Sequence, residues 1–314
     1  MTLPDRNLLR RIVNSVQNKE RPPVPASLQD IVIEPPYNST KNQELFLHYD
    51  SAETLPDNRF LIFTTEGNLR ILSTSRLIYG DGTFKTVSQQ FMQLYTIHGS
   101  FQGHVFPLVY GIMERKTQES YKAMLQQLLN IAGEMAIAIA PKYVLTDFEQ
   151  AAINAFRAAF PDAILQGCLF HFSQSIWRNI VSRGLRGAYM DRENRDKRRQ
   201  MQQFFGLPFL PLEDLTDVFD DIVADIEDED ILDLASYIEH TYIRGYRARG
   251  RRAARPPVFP PEFWNVYESV TNRMHRTTNI VEGWHSLLQG LISAHHKNIR
   301  RFIEHIQAEQ NDVE

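Results

Sequence analysis

The feature that most limits the fold is a change of period along the chain. From Arg59 onward, short apolar runs bounded by turn residues dominate, which is the signature of strands. Phe60-Leu61-Ile62-Phe63 and Arg76-Leu77-Ile78-Tyr79 are two such runs, and 91–98 and 105–113 are two more, rich in aromatic and branched side chains. Helical spacing then sets in, with Tyr121, Met124, Leu125, Leu128 and Leu129 predicting a helix over 119–135. The run 142–146 predicts a strand ending at Asp147. Ala152, Ile153, Phe156 and Phe160 predict a helix, 163–170 another strand and 173–181 another helix. Strands first, then helices and strands in alternation, is the order of a mixed α/β layer with an antiparallel start and a parallel finish.

The flanks differ from this central block. Residues 1–57 are polar and carry Pro22, Pro23, Pro25, Pro35 and Pro36, so they read as an extended lead-in to a sheet domain at 58–182. Beyond Arg183 the chain becomes helical and charged. Leu215, Val218, Phe219, Ile222, Val223 and Ile226 mark an amphipathic helix, and a second helical run spans 231–243. A mainly helical unit is therefore expected over 183–270, its acidic run at 213–230 forming a solvated face that repels DNA. A last helical segment, roughly 280–310, lies in the closing portion 271–314.

Composition excludes several classes. A net charge of −4 rules out a protein held on nucleic acid by bulk charge, although a local basic face is compatible with it. Cys168 is the only cysteine, so neither an internal disulfide nor a zinc finger built on two cysteines can form. No stretch approaches the roughly 18 apolar residues of a membrane span, and the N-terminus has no signal-peptide core. The expectation is a nuclear or otherwise intracellular protein, not secreted and with no membrane partner.

The chemistry centres on carboxylates. Asp81, in Gly80-Asp81-Gly82-Thr83, and Asp147, in Leu145-Thr146-Asp147-Phe148, each follow a strand-like run. Strand ends fix catalytic groups while leaving them reachable. Two carboxylates on neighbouring strand ends can share divalent cations, and oxygen-rich sites suit Mg²⁺ or Mn²⁺ over zinc. Such ions activate a water or 3′-hydroxyl and stabilise the leaving oxygen of a phosphodiester. A third carboxylate is needed, and Glu282 is the candidate, on a helix that Thr277, Thr278 or Asn279 can cap. Taken singly, Asp81 reads equally as a turn former, Asp147 as a helix cap and Glu282 as solvated surface. The weight lies in their combination.

The segment from about Arg76 to Ile180 resembles the core of the Mutator-like element (MULE) transposases. Asp81-Gly82-Thr83-Phe84-Lys85, Gln93-Leu94-Tyr95-Thr96-Ile97-His98 and Phe106-Pro107-Leu108-Val109-Tyr110 are similar to that family's first block. Thr146-Asp147-Phe148-Glu149-Gln150-Ala151 looks like its second. Cys168-Leu169-Phe170-His171 is similar to its Cys-x-x-His signature, and Thr278-Asn279 through Glu282-Gly283-Trp284-His285 to its third block. The resemblance implies an RNase H-like fold with a large helical insertion before the last catalytic helix. It also implies Asp81, Asp147 and Glu282 as catalytic metal ligands for Mg²⁺ or Mn²⁺, and double-stranded DNA engaged by a homo-oligomer. Full-length relatives of that kind often add a zinc-binding DNA-recognition module, so a core lacking its targeting module is the expectation.

Cys168 and His171 make half a zinc site, for which His285 and His275 are the only further ligands on offer. Packing and hydrogen bonding beside the active site is the favoured role, with His171 and His285 in reach of the scissile phosphate. Arg244, Arg247, Arg249, Arg251, Arg252 and Arg255, beside Tyr242 and Tyr246, read either as a solvated loop or as a phosphate-tracking surface. A DDE-type transposase core that cleaves and transfers DNA strands is the leading reading. A domesticated DNA-associated regulator without catalysis is the alternative, and a simple nuclease is disfavoured by the long gap between Asp147 and Glu282.

Overall fold

Every residue of Phe60–Phe63 is buried. A strand that hides both faces needs cover on both sides of its sheet, and the computed structural model has it. The structure describes residues 25–83, 90–191, 193, 195–248, 253–272, 275–291 and 298–313. Phe60 and Ile62 join Ile78, Tyr95, Met124, Leu125 and Phe156 in one core. Leu61 and Phe63, pointing the other way as alternation requires, join Phe46, Tyr110, Phe302 and Ile306 in a second.

The first half of the chain runs β1 (Leu47–Asp50), β2 (Phe60–Phe63), α1 (Glu66–Thr74), β3 (Leu77–Thr83), β4 (Gln93–Phe101), β5 (His104–Met113), α2 (Gln118–Glu134), β6 (Tyr143–Thr146), α3 (Gln150–Ala159), β7 (Ile164–Gly167) and α4 (Leu169–Ser182). Among the described residues the strands form one seven-stranded sheet, ordered β1-β2-β5-β4-β3-β6-β7. Pairing is antiparallel from β1 through to β3, and parallel from β3 to β6 and from β6 to β7. Residues from α1, α2 and α3 fill the first core. The expected mixed α/β layer is thus present.

Three details differ from the sequence reading. β1 lies inside the polar lead-in, because Leu47-His48-Tyr49-Asp50 is a half-buried edge strand with little apolar content. The strand expected over 163–170 stops at Gly167, since Cys168 already occupies the N-cap of α4, whose Phe172, Ile176 and Ile180 are buried at helical spacing. The closing helical segment is two helices, α11 (Asn279–Leu291) and α12 (Ile299–Val313).

Between α4 and α11 lie α5 (Arg186–Met190), α6 (Arg195–Phe204), α7 (Leu215–Ala224), α8 (Glu229–Ile238), a π turn at Glu239–Ile243, α9 (Pro261–Trp264) and α10 (Tyr267–Thr271). These elements share a core of their own, in which Met201, Phe204, Phe219, Leu234 and Trp264 pack with Phe172 and Ile176 of α4. In α7, Leu215, Phe219 and Ile222 turn inward while Asp217, Asp220 and Asp221 are exposed, so part of the acidic run is indeed a solvated face. Among the described residues, no helix is long and apolar enough to cross a membrane.

The last helix is bound to the sheet by a buried amide pair. Asn68 of α1 donates through Nδ2 to Gln310 Oε1 at 2.7 Å and to Leu108 O at 3.0 Å, and Gln310 Nε2 donates back to Asn68 Oδ1 at 3.1 Å. Both side chains are essentially inaccessible. Gln310→Ala leaves Asn68 Oδ1 without its donor, and an unsatisfied buried polar group costs about 1–3 kcal/mol. Urea unfolding of this variant should show a stability lower by that amount, read as a lower midpoint at unchanged slope. An unchanged midpoint would show that α12 is not anchored through this pair.

Candidate active site

The site starts from the register between one strand and one helix. On β3 the side chains of Tyr79, Asp81 and Thr83 share a face. Tyr79 packs with Val281, Asp81 pairs with His285, and Thr83 Oγ1 accepts from Gln289 Nε2 at 3.0 Å. Two strand residues advance about 6.6 Å and four helical residues about 6.0 Å, so every second residue of β3 meets the next turn of α11. Opposite, Gly80 leaves room for Tyr95 and Phe156, since a Cβ there would lie 2.6 Å from the Tyr95 hydroxyl and 2.8 Å from the Phe156 ring. The β3 backbone is pinned between aromatic packing on one side and α11 on the other.

Asp81 is buried, and it lies within β3 rather than after it as the sequence suggested. The reason is unequal neighbours. β4 pairs with β3 as far as Thr83, whereas β6 ends at Thr146, opposite Gly80. The next residue on β6 is Asp147, so the two aspartates emerge on adjacent parallel strands one step past the last paired residues. Asp147 Oδ1 accepts the Glu149 N–H at 3.0 Å, while Glu149 holds the N-cap position of α3. Burial pushes the Asp147 carboxyl up and the nearby charge of Asp81 adds to this. The Glu149 N–H and His171 pull against it, leaving it at about 6.

Glu282 reaches this centre from the first turn of α11. Its carboxyl is held above the usual range by burial and by Asp81, against the pull of His171, Thr278 and His285. Thr278, directly before α11, is buried, and its hydroxyl lies 3.0 Å from Glu282 Oε1 and 3.1 Å from Cys168 Sγ. Cys168 Sγ also accepts the Thr278 N–H at 3.2 Å, and Leu169 N–H donates to Arg276 O at 3.0 Å. These bonds fasten the start of α4 to the start of α11. Of the three residues expected to cap α11, Thr278 takes the position, but its hydroxyl serves a side chain and a sulfur.

His171 Nδ1 lies 3.6 Å from Glu282 Oε1. Its imidazole interacts with Cys168, while Nδ1 has no hydrogen-bond partner among the described residues. Burial works against a charged imidazole here, but Cys168, Asp147 and Glu282 outweigh it and hold His171 at about 9. Burial likewise opposes the Cys168 thiolate, and its contacts with His171 and Thr278 outweigh that, so the thiol lies below its ordinary value.

The two remaining histidines separate. His285, offered by the sequence as a partner for Cys168, instead meets Asp81 Oδ2 through Nδ1 at 3.1 Å. Its Nε2 is 3.0 Å from Thr96 Oγ1, which is 2.9 Å from His98 Nε2. Burial and the neighbouring His285 keep His98 well below its ordinary value and therefore neutral. Neutral His98 can donate through Nε2–H to Thr96, whose hydroxyl also lies 3.4 Å from Asp81 O, so the chain runs from β4 to Asp81. Thr96 and His98 carried no sequence signal for this role. His275 lies elsewhere, edge-on to Tyr79 at 6.1 Å.

The arginine cluster divides as well. Arg244 is engaged internally, with bonds of 2.6 and 2.8 Å to Asp220, 3.1 Å to Glu239 and 3.2 Å to Thr216 O. It ties α7 to the π turn and does not stand free for phosphate. Arg247 is exposed. Arg249, Arg251 and Arg252 lie outside the described residues.

No match to the chain was found among the curated proteins. Residues 77–175 match the family model described as the MULE transposase domain. That span runs from β3 to the middle of α4 and takes in Asp81, Asp147, Cys168 and His171, whereas Glu282 and His285 lie beyond it. By that match residues 77–175 are a MULE transposase domain, set on the sheet that carries Asp81 and leads into Asp147.

Proposed function

We propose that this chain is the catalytic core of a DDE-type transposase that cleaves and transfers DNA strands at Asp81, Asp147 and Glu282. The observation that carries the reading is the pair of aspartates, Asp81 buried and Asp147 partly so, brought together by adjacent parallel strands. Among the described residues neither has a Lys or Arg ion-pair partner. A pair of close, largely shielded carboxylates calls for a cation, and an all-oxygen donor set suits Mg²⁺ or Mn²⁺. A sheet that pairs antiparallel and then parallel, with carboxylates at the junction, supports an RNase H-like reading of the fold.

When bound, the divalent ions would lower the pKa of an attacking water or 3′-hydroxyl and stabilise the leaving oxygen. The protein's own part is orientation. His285 holds one oxygen of Asp81, Gly82 N–H holds the other at 2.9 Å, and Glu149 N–H fixes Asp147. Thr278 steadies Glu282. His171, charged at neutral pH, faces the same centre and can meet a phosphate oxygen.

Double-stranded DNA is the proposed partner, bound by a homo-oligomer in the nucleus. A cleft of about 680 Å³ opens on the Asp81 face of β3, lined by Arg76, Lys142, Tyr143, Gln166 and His275 among others. Arg76 and Lys142 are exposed and lie 5.8 and 5.3 Å from the centre of the Tyr143 ring. They place two exposed cations at this cleft. Cleavage of an end-containing duplex with Mn²⁺ should fall by orders of magnitude in Asp147→Asn and Glu282→Gln, with DNA binding retained. Arg247→Ala should weaken binding to all sequences alike and lower the salt slope by about one. Equal cleavage by wild type and Asp147→Asn would end the enzyme reading. Binding without any wild-type cleavage would favour the regulator.

The raised Asp147 carboxyl yields a second test with a definite sign. Its proton is bound more tightly in the folded state than in the unfolded chain, so the folded protein loses stability as pH rises from about 4 to about 6. A shift from 3.8 to about 6 corresponds to about 3 kcal/mol. Without divalent ions, Asp147→Asn should therefore gain stability over wild type across that window and hold the gain at higher pH. Added Mg²⁺ should raise the thermal midpoint of wild type above pH 6 and leave the variant nearly unmoved. Parallel pH curves for the two proteins would contradict the assignment.

A further inference from the structure

We propose that Cys168, His171 and Glu282 form a second cation site, selective for a thiophilic divalent ion such as Zn²⁺, which draws Glu282 away from the two aspartates. One ligand atom from each residue lies within 4.8 Å of the others. Zinc bonds of about 2.0–2.3 Å place neighbouring tetrahedral ligands roughly 3.3–3.8 Å apart. The 3.6 Å between His171 Nδ1 and Glu282 Oε1 already falls in that range, and the widest gap closes with about 1 Å of side-chain movement. Cys168 at the N-cap of α4 and His171 three residues on share one face of that helix.

The surroundings are those of a ligand shell. Thr278 donates to the sulfur from its N–H and lies with its hydroxyl 3.1 Å away, fixing the direction of Sγ as outer partners of metal ligands do. His171 Nδ1 is buried and has no hydrogen-bond partner among the described residues, so it is open to a metal ion that displaces the imidazole proton. Sulfur sets the selectivity, because Mg²⁺ takes oxygen ligands while thiolate and imidazole favour zinc. His171 and Glu282 are each about a quarter exposed at the side chain, leaving a path for entry and an open fourth position. Asp81 and Asp147 remain outside this set. Glu282 is the one residue both centres need.

The test uses the full chain stripped of metal and titrated with Co²⁺, whose sulfur-to-cobalt absorption reports thiolate ligation. Cys168 is the only cysteine, so a band at one ion per chain can come from nowhere else. The band should be bleached by one equivalent of Zn²⁺ and be absent in Cys168→Ser. Co²⁺ affinity should fall at least tenfold in His171→Ala and in Glu282→Gln. Asp81→Asn, Asp147→Asn and Thr278→Val, which leave all three ligands in place, should keep the band. No sulfur band in the wild type, or full affinity in Glu282→Gln, would overturn the proposal. Stoichiometric Zn²⁺ should also lower Mn²⁺-supported cleavage at least tenfold. That arm rests on the transposase reading and the absorption arm does not, so failure of one is distinguishable from failure of the other.

Discussion

The contact between Asp81 and His285 joins the two parts of the chain that the site cannot do without. It closes a match of rungs and turns between β3 and α11, in which Tyr79–Val281 and Thr83–Gln289 flank the pair. Because Glu282 stands one turn before His285 on the same helix, whatever fixes His285 on the sheet also fixes the third carboxylate. Thr96 and His98 extend the hold into β4, and Trp284 extends it outward through a 2.8 Å bond to Glu309 of α12. The position of Glu282 is thus set by bonds made by its neighbours.

This arrangement works against stability. Asp81 acts electrostatically on both Asp147 and Glu282, and burial with like charge nearby raises carboxyl pKa values. Asp147 is raised to about 6. What holds them together is the apolar packing on either side: the first core beneath Gly80 and the second beneath α12. Pairing of buried polar side chains, as between Asn68 and Gln310, fixes the helices in one arrangement. The geometry of the centre therefore depends on cores some distance from it.

Much of this was legible in the residues. Continuous burial of Phe60–Phe63, the helical spacing through Leu128 and the strand ending before Asp147 are local patterns, and the structure follows them. What stayed hidden depends on neighbours. Asp81 looked like a residue after a strand because the length of β3 is set by β4, which reaches three residues further than β6 along it. β1 has too few apolar side chains to announce itself, being an edge strand with one partner. His285, offered by the sequence to Cys168, turns instead to Asp81, and Glu282 has His171 beside it, since an α-helix lying along a strand presents successive turns to different rungs. Arg244 reads as one more exposed cation until its pairing with Asp220 and Glu239 is seen.

The bond between Thr96 and His285 spans 189 residues, and the amide pair of Asn68 with Gln310 spans 242. During synthesis, a chain emerging N-terminus first can lay down β1 to β7 and set both aspartates side by side long before Glu282 exists. The carboxylate trio is assembled only when almost the whole polypeptide has left the ribosome. A nascent chain that ends before Glu282 therefore carries two of the proposed carboxylates and not the third, so the proposed centre cannot form on an unfinished molecule.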